Sequence, residues 1–182
     1  MKWRGHVLTA LLAAALCVMA PVAVPLWSLP FTLATLGIYL AAGLLGPWRG
    51  AAAVGLYLAL GAVGVPVFAG FSAGFPVLFG PTGGFLWGYL PCVIVAGLLC
   101  RRARTEMTTL CLAGGTMVLY AVGVVWTMVQ TQADLATVLL TCVMFTLPGE
   151  AVKIAVATAL IIPLRGRVRR LLSAGVKARD NL

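Results

Sequence analysis

The chain has 182 residues, of which 62% are hydrophobic and 9% are charged, and its formal net charge is +9. So little polar surface cannot coat a soluble domain, and this composition excludes an ordinary soluble enzyme or binding module. A helical membrane span needs roughly 17 to 25 apolar residues, and the apolar stretches here lack the period-2 alternation of a porin-like barrel. We therefore expect residues 1–182 to form one all-α integral membrane domain.

Breaks at proline, glycine and clusters of charge divide the chain into six apolar spans. The predicted transmembrane helices cover about residues 7–24, 31–46, 50–65, 82–100, 107–129 and 136–163. The last span is too long for one helix perpendicular to the bilayer. Pro148 and Gly149 inside it predict a kink or a new helix start. Glu150 would then lie in a first turn, where the helix dipole favours a negative group.

The first span also has the basic start and apolar centre of a secretory signal, in MKWRGHVLTALLAAALCVMA. We favour a retained helix. Its removal would leave five spans and would put the basic loops on inconsistent sides of the membrane.

Positively charged residues mark the cytoplasmic loops of a membrane protein and therefore test the span count. In the six-span scheme every basic residue except Lys153 lies on one side, before the first span or after the second, fourth and sixth. Both termini are therefore predicted to be cytoplasmic, with a basic tail at residues 164–182. Because these residues flank spans, the charge indicates topology and contact of the tail with anionic lipid, not nucleic-acid binding.

The opposite side carries three loops, which cover about residues 25–30, 66–81 and 130–135. Flexible linkers are polar and rich in serine. In the second loop, by contrast, glycines alternate with four phenylalanines, Phe68, Phe71, Phe75 and Phe79. We expect this loop to fold back and pack, since irregular backbone at membrane depth is tolerated where it is buried or lines a cavity.

The glycine-rich stretch around this loop is a candidate substrate site. Thr82, Gly83 and Gly84 would let backbone N–H and C=O groups reach a small ligand, and Phe68 would supply an apolar wall. The alternative interpretation is that these are only helix-end glycines and interfacial aromatic residues.

Two ionisable residues, Glu150 and Lys153, lie inside the hydrophobic spans. A charge at bilayer depth costs several kcal/mol, so such residues usually handle an ion, a proton or a ligand. The i, i+3 spacing places both side chains on one helix face, where they can neutralise each other or hold a ligand together. We predict that they form the substrate site; the alternative is a self-satisfied pair that only fixes helix packing.

The sequence indicates neither a metal site nor an ATPase motif. The five cysteines lie in or beside apolar spans without CxxC spacing, which indicates packing residues, and His6 has no ligand partner in sequence. There is no GxxxxGK[ST] motif, so any ATP hydrolysis must come from partner subunits. An enzyme that uses Glu150 as a general base is an alternative, although the ammonium group beside it would make the carboxylate a poor base.

Four segments of the chain, in order, carry a family resemblance. They are PFTLATLGIYLAAGLLGPWRGA at residues 30–51, YLALGAVGVPVFAG at 57–70, GPTGGFLWGYL at 80–90 and LPGEAVKIA at 147–155. Together they resemble the biotin-specific substrate-binding (S) component, the BioY family, of energy-coupling factor (ECF) vitamin transporters. The resemblance implies a six-helix protein of the bacterial cytoplasmic (inner) membrane that binds biotin from outside. It also implies a transmembrane coupling protein and two ATPase subunits as partners, with ATP used only by those subunits and no resident cofactor.

Three positions depart from the family pattern. The family usually has Asp in place of Glu150, often Gln in place of Ala34, and commonly Tyr in place of Phe85. Glu150 keeps a carboxylate, and Phe85 lacks the hydroxyl. Ala34 removes a polar group, which weakens the case for direct ligand contact by the second helix. These departures raise an alternative, in which a protein of the same fold binds a different vitamin.

The resemblance suggests a chemistry for the charged pair. Biotin has a neutral ureido ring with N–H donors and a C=O acceptor, an apolar thioether ring and a carboxylate tail. We expect the Glu150 carboxylate to accept from a ureido N–H and the Lys153 ammonium to donate to the ureido oxygen. In the competing arrangement Lys153 binds the ligand carboxylate. The ureido assignment is favoured because Lys153 lies about 15 Å from the inner end of its span, near mid-membrane, whereas an anionic tail favours the outer water.

The first span carries a second candidate site. Ala10 and Ala14 form a small-xxx-small pattern, on which another helix can approach closely. S components of this transporter class dock the coupling protein on such an alanine face, so the resemblance assigns partner docking to these two residues. Packing against another helix of the same chain is the alternative.

Overall fold

The computed structural model describes residues 3–26, 29–102, 107–144 and 146–177. Within these residues the chain is mostly helical, which confirms the predicted class of a helical membrane protein. Three segments are long and apolar enough to cross a membrane, Gly83–Arg101, Thr108–Thr131 and Leu147–Val168. Shorter apolar helices accompany them.

Helices and one hairpin follow one another along the described chain. In order they are α1 (Trp3–Met19), β1 (Ala23–Leu26), β2 (Leu29–Thr32), α2 (Ala34–Leu45), α3 (Pro47–Val63), α4 (Phe75–Phe79), α5 (Gly83–Arg102), α6 (Thr108–Thr131), α7 (Leu135–Val138) and α8 (Leu147–Lys177). A 3-10 turn at Ala69–Phe71 precedes α4. A π-helical segment at Leu139–Met144 follows α7.

The hairpin departs from an all-α chain. β1 and β2 pair antiparallel, with Ala23 opposite Thr32. Three prolines lie in or beside the two strands, Pro21, Pro25 and Pro30. Proline cannot continue a helix, because it lacks an N–H group and its ring clashes with the preceding turn. Strand pairing therefore takes over where the predicted first and second spans meet, and it satisfies backbone groups that a helix would otherwise satisfy.

Helix α2 is short and central. Its 12 residues measure about 18 Å, less than the thickness of a bilayer core. Ile38, Tyr39 and Ala41 are fully buried, and α2 packs against α3, α5 and α8. A helix with so little contact to lipid can carry polar side chains into the middle of the bundle.

The last predicted span, 136–163, is divided into separate elements. Helix α8 begins at Leu147, so Pro148 lies in its first turn and Glu150 is the acidic residue of that turn. A backbone hydrogen bond closes the first turn of α8, in which the Glu150 N–H donates to the carbonyl of Thr146 at 3.0 Å. The helix then continues through Pro163 and on into the predicted tail as far as Lys177.

Helices α5 and α6 approach each other closely because glycines lie between them. A Cβ atom built on Gly115 would stand 2.7 Å from the Cβ of Ala96, and one built on Gly88 would stand 2.9 Å from Leu119 Cδ1. Both separations are too short for a real side chain. The close crossing brings Phe85 of α5 against Tyr120 of α6, with ring centroids 6.4 Å apart.

The loop at residues 66–81 packs inward through one of its four phenylalanines. Phe68 is fully buried, and its ring meets the Tyr57 ring edge-on at 5.6 Å between centroids. The expectation of inward packing is wrong for the other three, because Phe71, Phe75 and Phe79 are 69%, 61% and 56% exposed. Exposed aromatic rings of this kind suit the interface between membrane and water.

Candidate functional site

A cavity of about 150 Å³ lies among α2, α5, α6, the start of α8 and the loop at residues 66–81. Four of the predicted substrate residues line it: Phe68, Thr82, Glu150 and Lys153. The remaining lining residues are Thr32, Thr35, Ala69, Ser72, Val77, Phe85, Leu86, Tyr89, Leu119, Tyr120 and Thr146. The structure thus brings the charged pair and the glycine-rich loop, more than 60 residues apart in sequence, to one site.

The charged pair forms a buried salt bridge. Lys153 Nζ stands 2.6 Å from Glu150 Oε1, and each residue is only 5% exposed. At i, i+3 on α8 both side chains point to the same face, as the spacing predicts. A pair so short and so shielded from water gains from the low dielectric, but it also requires further partners for its remaining lone pairs and protons.

Helix α2 supplies those partners through two residues one turn apart. Thr35 Oγ1 donates to Glu150 Oε1 at 2.9 Å and accepts from Lys153 Nζ at 3.0 Å. Tyr39 OH donates to Glu150 Oε2 at 2.7 Å. The same hydroxyl lies 2.7 Å from Thr116 Oγ1 on α6. The hydroxyl groups of Thr35 and Tyr39 therefore each contact the carboxylate and one further polar group. Hydrogen bonds linked in this way strengthen one another.

These contacts leave acceptor capacity on Glu150. A carboxylate offers about four lone-pair positions. In the described part of the chain, Oε1 accepts from Thr35 and Lys153, and Oε2 accepts from Tyr39. Oε2 can therefore accept one more hydrogen bond from a donor that enters the cavity.

The far side of the cavity carries a smaller polar group and apolar walls. Tyr120 OH lies 2.8 Å from Thr146 Oγ1, which donates to the carbonyl of Cys142 at 2.7 Å. Apolar side chains line much of the remaining cavity wall, among them Phe68, Phe85 and Leu119. Polar groups concentrated at one wall of an otherwise apolar cavity are typical of a site for a small organic ligand.

Gly83 and Gly84 serve helix packing in this structure. A Cβ on Gly83 would collide with the backbone of Leu78, and one on Gly84 would collide with the side chain of Trp126. Neither glycine is among the cavity-lining residues within the described chain. Their predicted contact with a ligand stays a prediction, whereas their close packing explains why this point of the chain admits no side chain.

The second helix contributes to the site through residues that the sequence interpretation passed over. Ala34 is buried and does not line the cavity, whereas its neighbour Thr35 does. The expectation that α2 plays little direct part was based on Ala34, and Thr35 contradicts it. The spacing of Thr35 and Tyr39, i and i+4 on an otherwise apolar helix, is the sequence signal that marks them.

Ala10 and Ala14 lie on the outside of the bundle. Both are exposed, and they share a face of α1 with Val7, Leu11 and Val18, which are 62%, 64% and 74% exposed. The opposite face, with Ala13 and Leu16, is buried. Packing of the two alanines inside the chain, the alternative interpretation, is therefore not what the structure shows.

Comparison with known proteins agrees with the resemblance in sequence. The model of the BioY family matches residues 1–170. The biotin transporter BioY of Rhodobacter capsulatus is 38% identical over 165 residues, which cover 86% of this chain and 81% of that protein. The biotin transporter BioY of Rhizobium etli is 36% identical over 174 residues, which cover 88% of this chain and 92% of that protein.

A solved structure has the same fold. The crystal structure of the S-component for biotin from an ECF-type ABC transporter superposes with a TM-score of 0.81 at 25% identity. The match covers 91% of this chain and 92% of that one. The helical arrangement around the cavity is therefore a known transporter fold.

The ion pair predicts an asymmetric response to substitution. Lys153→Met alone should lower the free energy of unfolding by about 3–5 kcal/mol, because it leaves a buried carboxylate without its cation. Adding Glu150→Gln should recover much of that loss, since a neutral amide keeps one acceptor oxygen for the Tyr39 hydroxyl and offers an N–H that can donate to Thr35 Oγ1. Thermal unfolding in detergent measures both, with Arg167→Gln, which removes an exposed cation, as the control. Equal stability of Lys153→Met and Arg167→Gln would contradict the prediction.

Proposed function

Because the chain belongs to the BioY family, we propose that it takes up biotin across the cytoplasmic membrane as the substrate-binding component of an ECF-type transporter. The observation that carries the proposal is the buried Glu150–Lys153 pair on the wall of a mostly apolar cavity. The chain is a multi-pass membrane protein and a transport component, not an enzyme, and biotin is its transported ligand.

The geometry supports a specific pose for the ureido ring. Glu150 Oε2 has capacity for one more donor, which suits a ureido N–H, and the Lys153 ammonium on the same wall can donate to the ureido oxygen. Phe68 and Phe85 on the remaining walls suit the apolar thioether ring. Thr82, at the loop end of the cavity, lies towards the side from which biotin would enter. The carboxylate tail would then extend towards the outer water.

Ligand competition tests this pose against the one in which Lys153 binds the carboxylate. Radiolabelled biotin should bind the purified chain at sub-micromolar concentration and remain chemically unchanged. Biotin amide, which lacks the negative tail, should compete almost as well as biotin, because the tail does not meet Lys153. An analogue methylated at both ureido nitrogens should compete at least tenfold less well, since a lost charge-assisted bond is worth about 1.5–3 kcal/mol. The reverse ranking of the two analogues would overturn the pose, and no binding of biotin would overturn the proposed function.

We further propose six transmembrane spans with both termini in the cytoplasm. Helices α1, α2, α3, α5, α6 and α8 would supply the spans, and the ligand cavity would open to the outside. Support comes from Arg49, Arg101 and Arg165, which meet at the end of the bundle opposite the ligand cavity, on the side that positive residues mark as cytoplasmic. A fluorescent protein fused after residue 182 should therefore report from the cytoplasm, and an external reporter signal would contradict this orientation.

The partners follow from the family. Partnership with ECF components is supported by the fold, and we propose that these are a transmembrane coupling protein and two ATPase subunits. The exposed face of α1 around Ala10 and Ala14 is the proposed docking surface, because small residues there let a partner helix approach closely.

Substitution on that face should separate docking from ligand binding. Ala10→Trp with Ala14→Trp should abolish co-purification with the coupling protein and energised uptake. Biotin binding to the purified chain should stay within about twofold, because both positions are exposed and neither is among the described residues that line the cavity. Val125→Trp, at an exposed position of α6 away from α1, is the matched control and should leave co-purification and uptake within about twofold. Loss of biotin binding in the double variant would indicate misfolding and would count against a docking role.

A further inference from the structure

A second cavity lies at the end of the bundle opposite the ligand site. It is formed where α2 passes into α3, against the end of α5 and the middle of α8, and its volume is about 440 Å³, compared with about 150 Å³ for the ligand cavity. Uptake of biotin as proposed above does not involve this cavity. Its lining gathers positive charge from several helices.

Three arginines from three different helices line this cavity. Arg49 comes from the first turn of α3, Arg101 from the end of α5 and Arg165 from the middle of α8. Arg165 is half-buried and donates from Nη2 to the backbone carbonyl of Cys100. Arg49 and Arg101 are exposed at the cavity. Three like charges around one cavity repel one another, and an anion bound between them would relieve that repulsion.

Carboxylates of the described chain do not supply that anion. Of the four acidic residues in the sequence, Asp134 caps α7 by accepting from the Ala136 N–H at 3.3 Å, and Glu150 pairs with Lys153 in the other cavity. The other two acidic residues, at positions 106 and 180, lie outside the described residues. No carboxylate is among the described residues that line the arginine cavity.

The backbone adds to the positive potential. Helix α3, 17 residues long, begins at Pro47 beside the cavity, and no side chain caps its start. The N-terminal end of a helix carries a partial positive charge and favours anions, whereas Arg49 adds a cation in the same turn. This placement is unfavourable for the isolated helix and becomes favourable once an anion lies in the cavity.

Apolar groups at the cavity indicate which kind of anion it would bind. Trp48 lines it and is 71% exposed, as is typical of an aromatic residue at the membrane interface. Leu44 and Leu45, at the end of α2, also line it and add apolar surface. A free phosphate ion would leave these apolar surfaces uncovered, whereas the acyl chains of a lipid would cover them.

We propose that the arginine cavity, lined by Arg49, Arg101 and Arg165, binds the phosphodiester headgroup of an anionic phospholipid of the cytoplasmic leaflet. Guanidinium groups bind phosphate oxygens through paired N–H donors, which the fork of each arginine presents in fixed geometry. Basic pockets between transmembrane helices on the cytoplasmic side are known to bind such headgroups. The bound lipid would hold the α2–α3 turn against α5 and α8.

Native mass spectrometry of the purified full-length chain tests the proposal. The chain should retain phosphatidylglycerol in preference to phosphatidylcholine when both are offered in mixed micelles. Arg49→Gln and Arg101→Gln should each weaken retention of phosphatidylglycerol about fivefold, and Arg167→Gln on the exposed part of α8 should change it less than twofold. Biotin binding should be unchanged in all three variants, which confirms that they are folded and separates this test from that of the proposed function.

Four outcomes would overturn the proposal. Equal retention of the two lipids, or an equal loss in Arg167→Gln, would show that the arginines act only as diffuse charge. Displacement of phosphatidylglycerol by millimolar inorganic phosphate would assign the cavity to free phosphate. Unchanged lipid retention together with lost co-purification of the coupling protein in Arg49→Gln and Arg101→Gln would assign the arginines to a protein partner instead.

Discussion

The buried ion pair between Glu150 and Lys153 is the constraint on which the rest of this structure depends. Two charges in a hydrocarbon environment are tolerated only when each is paired and further hydrogen-bonded. The partners come from α2, whose Thr35 and Tyr39 reach both oxygens of the carboxylate. This requirement explains why a helix of only 12 residues occupies the centre of the bundle, where it packs against α8.

The elements around α2 follow from the same requirement. Prolines stop the preceding helix and leave a hairpin, which returns the chain so that α2 starts at Ala34, directly before Thr35. The new helix start at Leu147 places Glu150 in a first turn, where it lines the cavity. Close packing of α5 against α6 through Gly88 and Gly115 then forms the opposite wall. The cavity is thus a consequence of two local breaks in the helical bundle and of one close helix crossing.

The two ends of the bundle differ in charge and in chemistry. At the end that holds the Glu150–Lys153 pair, the charges are balanced within the site, so a neutral polar ring can replace water there without leaving a net charge buried. At the opposite end the arginines around Trp48 are not balanced by carboxylates of the described chain. One end therefore suits a largely neutral ligand that must also be released, and the other suits an anion that stays with the protein. The exposed alanine face of α1 belongs to neither end, and it remains available to a partner helix.

The sequence by itself determined the membrane class and the common helix face of Glu150 and Lys153, and it predicted a kink or a new helix start at Pro148 and Gly149. These features depend on hydropathy and on spacings of a few residues, which a linear chain displays directly. Only the tertiary structure decided that Thr35 bonds to Glu150 across 115 residues of chain. It also decided that Gly83 and Gly84 pack against neighbouring elements and that three of the four loop phenylalanines face outward. The shared cavity of Arg49, Arg101 and Arg165 is likewise visible only in the tertiary structure. Contacts between distant residues depend on how whole helices pack, and that packing is set by glycine positions and side-chain volumes acting together, which no local pattern in the sequence records.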